Sequence, residues 1–386
     1  MQLLEFTANA EQFSLSRRFT YTSPLTQEQR PIDVEYTKPQ AVHGSETSQA
    51  QVSIDARVDD ITINLCRPVR LLPTSVAKPW GQEIWYTGME ERGESQVCDG
   101  TDNTMPLSLY LALSPSSDDQ PEAVLLLKVL DPNPEPVAGD LYFEAHEEKQ
   151  EVYIVTHIDP LAWPDGKGAI RYGMNQATRT GVDDRTFRNQ YTAAVSAYAS
   201  VRKQIDQEDK DVDAATEQLA RATMESFTHL RELSVADVVT VPTWVPHSLQ
   251  HGVRVVEFQT PTYERYIISF AQQVLTQDHW DYEYAIEHMS IDSPPVESFE
   301  TVAPGIERIA TFSDFNVWRV DCASARSLTL PTRIPYAVCM AIGGSVNIAH
   351  LRLAPEEACL VPTLALSTTQ ITGDPHSQVL IAAPKL

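Results

Sequence analysis

The chain has 386 residues, 42% of them hydrophobic, enough for buried cores and long enough for two or three domains. Its 29 basic against 53 acidic residues give a net charge of −24, which argues against nucleic acid or an anionic membrane as the main partner. The five cysteines (Cys66, Cys98, Cys322, Cys339, Cys359) are scattered and form no CxxC pair, so neither a disulfide framework nor a zinc knuckle is expected.

The first residues, MQLLEFTANAEQF, carry Glu5 early and show no basic start followed by an apolar core. The densest apolar run, residues 123–130, is interrupted by Lys128 and is too short to span a bilayer. A cytoplasmic protein is expected. Alternation in IDVEY (32–36) and VSIDARV (52–58) predicts strands, with GSETSQAQ (44–51) as a polar linker or hairpin loop between them. Residues 1–60 thus form a β-rich extension of unassigned role.

From 61 to 172, short strands alternate with turn chemistry. VLLLKVL (124–130) reads as a buried strand and DPNPEPVAGD (131–140) as turns. LYFEAH and EVYIVTHI follow as two strands split by the charged EEKQ. This pattern suggests a β-sandwich or barrel. The period then changes. Apolar residues at Phe187, Tyr191, Val195, Tyr198 and Ile205, then at Ala215, Leu219, Ala222, Phe227 and Leu230, predict two amphipathic helices. Asp183 and Asp184 are candidate caps, and QEDKD (207–211) is the break. Strands resume at Ala236, a helix is predicted around 282–288, and PPVES (294–298) reads as a linker. The C-terminal part is again strands, in FNVWRVDC, YAVCMAIGGSVNIAHL, ACLVPT and QVLIAAPKL.

In FEAH, Glu144 and His146 are two apart and share one strand face. A four-residue hairpin turn (147–150) is predicted to return the chain, so that Glu151, opening the next strand, meets them across the ladder. VPTWVPHSLQHG presents His247 ahead of a turn at Gly252. Two imidazoles and two carboxylates converging inside a barrel make a competent divalent-metal site. His157, His251, His279 and His288 have no partners at ligand spacing, and no metal is expected at His350 or His376. Trp80, Trp85 and Trp244 are read as core, with a sugar-stacking wall as the alternative.

ExH followed by four residues and Glu resembles the first cupin motif, and VPTWVPH the second. Four blocks are similar to type I mannose-6-phosphate isomerases: KPWGQEIW (78–85), LLLKVL with Asp131, KQEVYIV (149–155) and PHSLQHGVRVVEFQTPTYERY (246–266). The resemblance covers about residues 75–386. It implies a mainly β fold of two cupin (jelly-roll β-sandwich) domains. The first, at 61–290, would bind metal and carry the helical insertion at about 183–232; the second, at 291–386, would be metal-free. It also implies one divalent metal, zinc in the first place, with iron, manganese or nickel as alternatives. Glu144, His146, Glu151 and His247 would be its ligands, and Arg265, Lys149 and Glu257 the catalytic residues. The partner would be a small-molecule sugar or sugar phosphate, and the reaction the interconversion of mannose 6-phosphate and fructose 6-phosphate or a related pair. The sequence departs from the family in two places: Glu144 stands where the family has Gln, and only four residues separate His146 from Glu151 where the family has a long loop. On the residues alone, Glu257 with Arg265 could be a cross-strand ion pair and Lys149 an exposed turn lysine. A metal-dependent cupin oxygenase and a non-catalytic sugar-binding cupin are the other functional readings.

Overall fold

A computed structural model describes residues 14–37, 53–100, 103–113, 123–207, 212–323, 326–327 and 334–385. The linker expected at 44–51 and most of the QEDKD break lie outside the described residues. The fold is mainly β and antiparallel, and its contacts divide the described chain into two compact units. A terminal unit takes the residues up to 75, 85–127 and those from 299 onward; a central unit takes 76–84 and 128–298.

These limits differ from the boundaries expected at 60 and 290. Position 60 falls in the turn of a hairpin, because Asp55–Val58 pairs with Ile61–Asn64 through Val58↔Ile61. Val69–Leu72 then pairs with Ala358–Pro362 of the C-terminal region, through Leu71↔Ala358, so backbone hydrogen bonding assigns it there.

The central unit is a sandwich of two sheets. One has six strands in the order Val238–Val241, Glu151–Ile158, Val253–Gln259, Leu126–Pro132, Gly81–Trp85, Thr74–Lys78. The other has five: Thr228–Leu233, Gly168–Met174, His247–Leu249, Phe143–Ala145, Tyr266–Ser269. Period-2 alternation lines the space between them with Tyr153, Val155, Val239, Val241 and Val255 from the first sheet and Ile170, Leu249 and Ile267 from the second.

The five-stranded sheet is apolar on its outer face as well. Phe143, Ala145, Met174 and Ile268 pack there against Phe187, Tyr191, Val195 and Tyr198 of the helix Asp184–Asp206, and against Met224 of the helix Ala214–Glu225. Asp183 caps the first helix, its carboxylate accepting from the Thr186 amide at 3.0 Å. The second helix is shorter than the sequence suggests. It ends at Glu225, and Phe227 and Leu230 leave the helix; Thr228–Leu233 forms an edge strand on Gly168–Met174, with Ile170↔Arg231 in register. Completing the sheet's edge satisfies a row of backbone groups, which outweighs a weak helical period. The helix predicted near 282–288 is Tyr282–His288.

In the terminal unit, Ser14–Thr22, Gln29–Thr37, Asp55–Val58 and Ile61–Asn64 form a meander. A nine-stranded sheet and the small sheet containing Val346–Ile348, Leu351–Leu353 and Gln370–Gly373 enclose a second core that includes Val346, Leu353, Cys339, Cys359, Val379 and Ile381. All five cysteines are free thiols.

Candidate metal centre

The expected hairpin between FEA and EVYIVTHI does not form. Phe143–Ala145 belongs to the five-stranded sheet, pairing with His247–Leu249 and Tyr266–Ser269, whereas Glu151–Ile158 belongs to the six-stranded sheet. Residues 147–150 carry the chain from one sheet to the other, so the acidic and imidazole groups meet across the sandwich and not along a ladder. The outcome for the side chains is the convergence that the motif suggests. Glu144 and His247 are register partners, which sets their side chains on the same inward face. Phe143 and Ala145 point outward to the helices, so the alternation that buries them also delivers Glu144 to the interior.

His146 Nε2 lies 3.7 Å from Glu144 Oε1 and 3.6 Å from Glu151 Oε1, and His247 Nε2 lies 3.1 Å from Glu151 Oε2. The two imidazole rings are 5.2 Å apart, edge to face. Glu144, His146 and His247 offer ligand atoms within 4.8 Å of one another and form a candidate metal triad. Glu151 touches both imidazoles but is also held by Lys149 Nζ at 2.5 Å and by the Tyr153 hydroxyl, which donates to it at 2.6 Å.

The donor set fits a cation. Glu144 Oε2 and the lone-pair nitrogen of His146, whose two ring nitrogens both lack a partner, are buried acceptors without a hydrogen bond, a costly state unless something positive is bound there. His247 Nδ1 faces the Val245 carbonyl at 3.0 Å; a carbonyl only accepts, so Nδ1 carries the proton and the Nε2 lone pair faces the Glu151 carboxylate. Two lone pairs at that distance require a proton or a metal ion. Burial, reinforced by Lys149, drives the His146 pKa well below its ordinary value, so the ring is the neutral base a metal needs. For Glu151, burial acts upward, but the nearby Lys149 charge is the largest influence against it, and the group is held well down as a carboxylate.

The rest of the sandwich interior at this end is polar. Glu257 is register partner of Tyr153 and is buried; burial raises its pKa to about 8, with Lys128 acting against the rise and Glu151 adding to it. Lys149, expected on the sequence alone to have an exposed alternative, is buried. Burial lowers its pKa, but Glu151, Glu144 and Glu257 together raise it above the usual lysine value. Arg265 forms no ion pair with Glu257. Its guanidinium sits 4.4 Å from the centre of the Tyr142 ring and donates to Thr276 Oγ1 at 2.8 Å. Lys128 donates to Gln259 Oε1 at 2.8 Å and lies 3.9 Å from Glu83, which also meets Lys78 at 3.2 Å.

Tyr153, Tyr142, Glu83 and Gln259 contact the candidate site groups and were passed over in the sequence. For Tyr153 the signal was present: it stands two residues after Glu151 on the same strand face. Trp80 and Trp85 are core residues. Trp244 has a different part. It adopts φ 61°, unusual for a bulky residue, and its amide donates to the His146 carbonyl at 2.6 Å. Stacking on Tyr266 and His288 holds it there, tying the segment before His247 to the other imidazole. Gly252, at φ 64°, makes the turn after the ligand strand.

No protein-family model and no curated protein matches the sequence. Solved structures do. The mannose 6-phosphate isomerase from Bacillus subtilis matches with a TM-score of 0.56 at 15% identity, covering 82% of this chain and 99% of that one. A mannose 6-phosphate isomerase bound with zinc and yttrium gives 0.59 at 11%, over 83% and 100%. A mutant of phosphomannose isomerase from Salmonella typhimurium gives 0.60 at 11%, over the same shares. The chain has the fold of the phosphomannose isomerases. At these identities the likeness speaks for fold alone, and the chemistry has to come from the side chains.

Proposed function

We propose that this protein is a metal-dependent aldose–ketose isomerase acting on mannose or a related sugar, built as two cupin sandwiches of which the central one carries the metal. The observation that supports it most is the cluster of partnerless buried donors on His146 and Glu144, opposite Glu151 and His247, inside a sandwich of phosphomannose isomerase fold. Glu144, His146, Glu151 and His247 would hold the ion, zinc first. When bound, a dication supplies electrophilic pull on a sugar carbonyl or hydroxyl oxygen.

The chain's own groups account for the proton. A hydrogen alpha to a carbonyl is weakly acidic, so its transfer between carbons 1 and 2 needs a base and a means of spreading the negative charge. Glu257, buried between Lys128 and Lys149, is the proton carrier in this reading. Lys149 stays an ammonium and stabilises charge in place of accepting a proton. Arg265, held over the Tyr142 ring, offers a second positive group. Purified protein loaded with zinc should interconvert an aldose and its ketose, and Glu257→Gln should lower kcat by at least about a hundredfold while zinc content stays unchanged. Absence of interconversion in the loaded wild type with any mannose-type sugar would end this proposal.

One observation favours a second reading. The candidate triad Glu144, His146 and His247 is two imidazoles and one carboxylate, a set suited to ferrous iron in an oxygenase. Metal analysis of the purified protein separates the two: bound iron with sugar-dependent oxygen uptake points to the oxygenase. A non-catalytic sugar binder would instead keep metal and sugar binding but be indifferent to loss of Lys149 or Arg265.

A further inference from the structure

Resting on the sugar-isomerase reading, we infer that the site takes an uncharged, unphosphorylated sugar, and that Glu264 and Glu147, beside His146, act as a filter against phosphate esters. A phosphate dianion is ordinarily bound by free basic forks or by unoccupied backbone amides. Among the described residues near the site, three of the four basic side chains are engaged by carboxylates, and the fourth, Arg265, lies over Tyr142 and donates to Thr276. The crossing segment after His146 does present two successive amides, those of Glu147 and Glu148, in the manner of an anion-binding nest. The chain fills that nest itself: Glu264 Oε1 and Oε2 accept from the Glu147 amide at 3.0 and 3.2 Å, and Oε2 accepts from the Glu148 amide at 3.3 Å. Beside it, the Glu147 carboxylate is held outward by the hydroxyls of Tyr266 at 3.0 Å and Tyr284 at 3.4 Å.

Each base near the site faces a carboxylate or another partner already described. Lys149 is against Glu151, Lys78 and Lys128 share Glu83, and Arg265 lies on Tyr142. With Glu144, Glu257 and the neighbouring Glu147, Glu148 and Glu264 included, carboxylates outnumber basic side chains. An incoming phosphate that takes these two amides would displace Glu264 and meet carboxylates of like charge, whereas the hydroxyls of a neutral sugar can donate to them.

The test uses polyols, which have no carbonyl and cannot be turned over. Titration calorimetry of the zinc-loaded protein with sorbitol and with sorbitol 6-phosphate should show the ester binding at least about tenfold more weakly. Glu264→Gln should narrow that ratio by tightening the ester and leaving sorbitol unchanged. Equal or tighter binding of the ester by the wild type, binding of neither polyol, or an unchanged ratio in Glu264→Gln would each overturn the inference. Turnover separates its failure from that of the isomerase reading. Isomerisation of mannose 6-phosphate in preference to mannose overturns the neutral-sugar inference while the isomerase stands; no turnover of either, with sorbitol still preferred, overturns the isomerase and leaves the neutral-sugar site.

Discussion

The terminal and central units enclose their interiors in different ways. The core of the terminal unit is closed by Val346, Leu353, Cys339, Cys359, Val379 and Ile381; among its described residues Glu94 is the one acidic residue buried as a whole and receives a hydrogen bond from Ser108, although both carboxylate oxygens of Asp314 are buried too. The central unit is equally apolar at the end lined by Val155, Val253 and Val255, yet at the other end it buries Lys128, His146, Lys149, Glu151, His247 and Glu257. Burying six ionisable groups together costs far more than a valine-filled equivalent, and a sandwich does not need them, as the terminal unit shows. The difference marks where stability has been given up to gather ionisable groups at one end of the central unit.

Substitutions can break this contrast, and the largest effect is expected at Lys149. Lys149→Met leaves the Glu151 carboxylate buried beside its remaining partners, and should destabilise the metal-free protein by about 3–5 kcal/mol in urea unfolding. A loss under 1 kcal/mol would mean the polar end is wetter than its burial implies.

Metal should repair the polar end and leave the apolar one unmoved. Zinc at a few hundred times its Kd is expected to raise unfolding free energy by about 3–4 kcal/mol, and chelation to reverse this. His247→Ala should abolish the gain, with zinc content falling to a few per cent of wild type by elemental analysis.

Tyr153→Phe removes the 2.6 Å hydrogen bond to Glu151 while keeping the ring, so a loss of about 1–2 kcal/mol is expected, together with weaker zinc binding. The smallest effect sharpens the comparison from the other side. Burial raises the Glu94 pKa, against hydrogen bonds from Ser108, so the folded state holds that proton more tightly than the unfolded chain. Stability from this group is therefore present below the ordinary carboxylate pKa and is lost as pH rises through the raised value. Glu94→Gln should flatten that slope in a melting-temperature series across pH 4–8, with little change in zinc binding.

Period and turn chemistry made much of this protein legible in the sequence. The strand alternation, the helical stretch capped by Asp183, the helix Tyr282–His288 and the ExH and VPH segments are all local signals, because a residue's neighbours two or four positions away decide which face it shares. The same rule pointed to Glu144 with His146 and, unnoticed, to Glu151 with Tyr153. Tertiary structure decided the rest. Residues 147–150 look like a hairpin turn in one dimension, but whether two strands pair or part to opposite sheets depends on which partners arrive from elsewhere, here His247–Leu249 and Val253–Gln259. The end of the second helix at Glu225 was set by an open sheet edge, the charge of the buried Lys149 by Glu151 and Glu144 together with Glu257 from a remote strand, and the place of Arg265 by a Tyr142 ring in another segment. Sequence determines local direction because covalent geometry carries it along the chain; burial and charge partnership belong to the assembled interior, because they are sums over residues far apart in the chain.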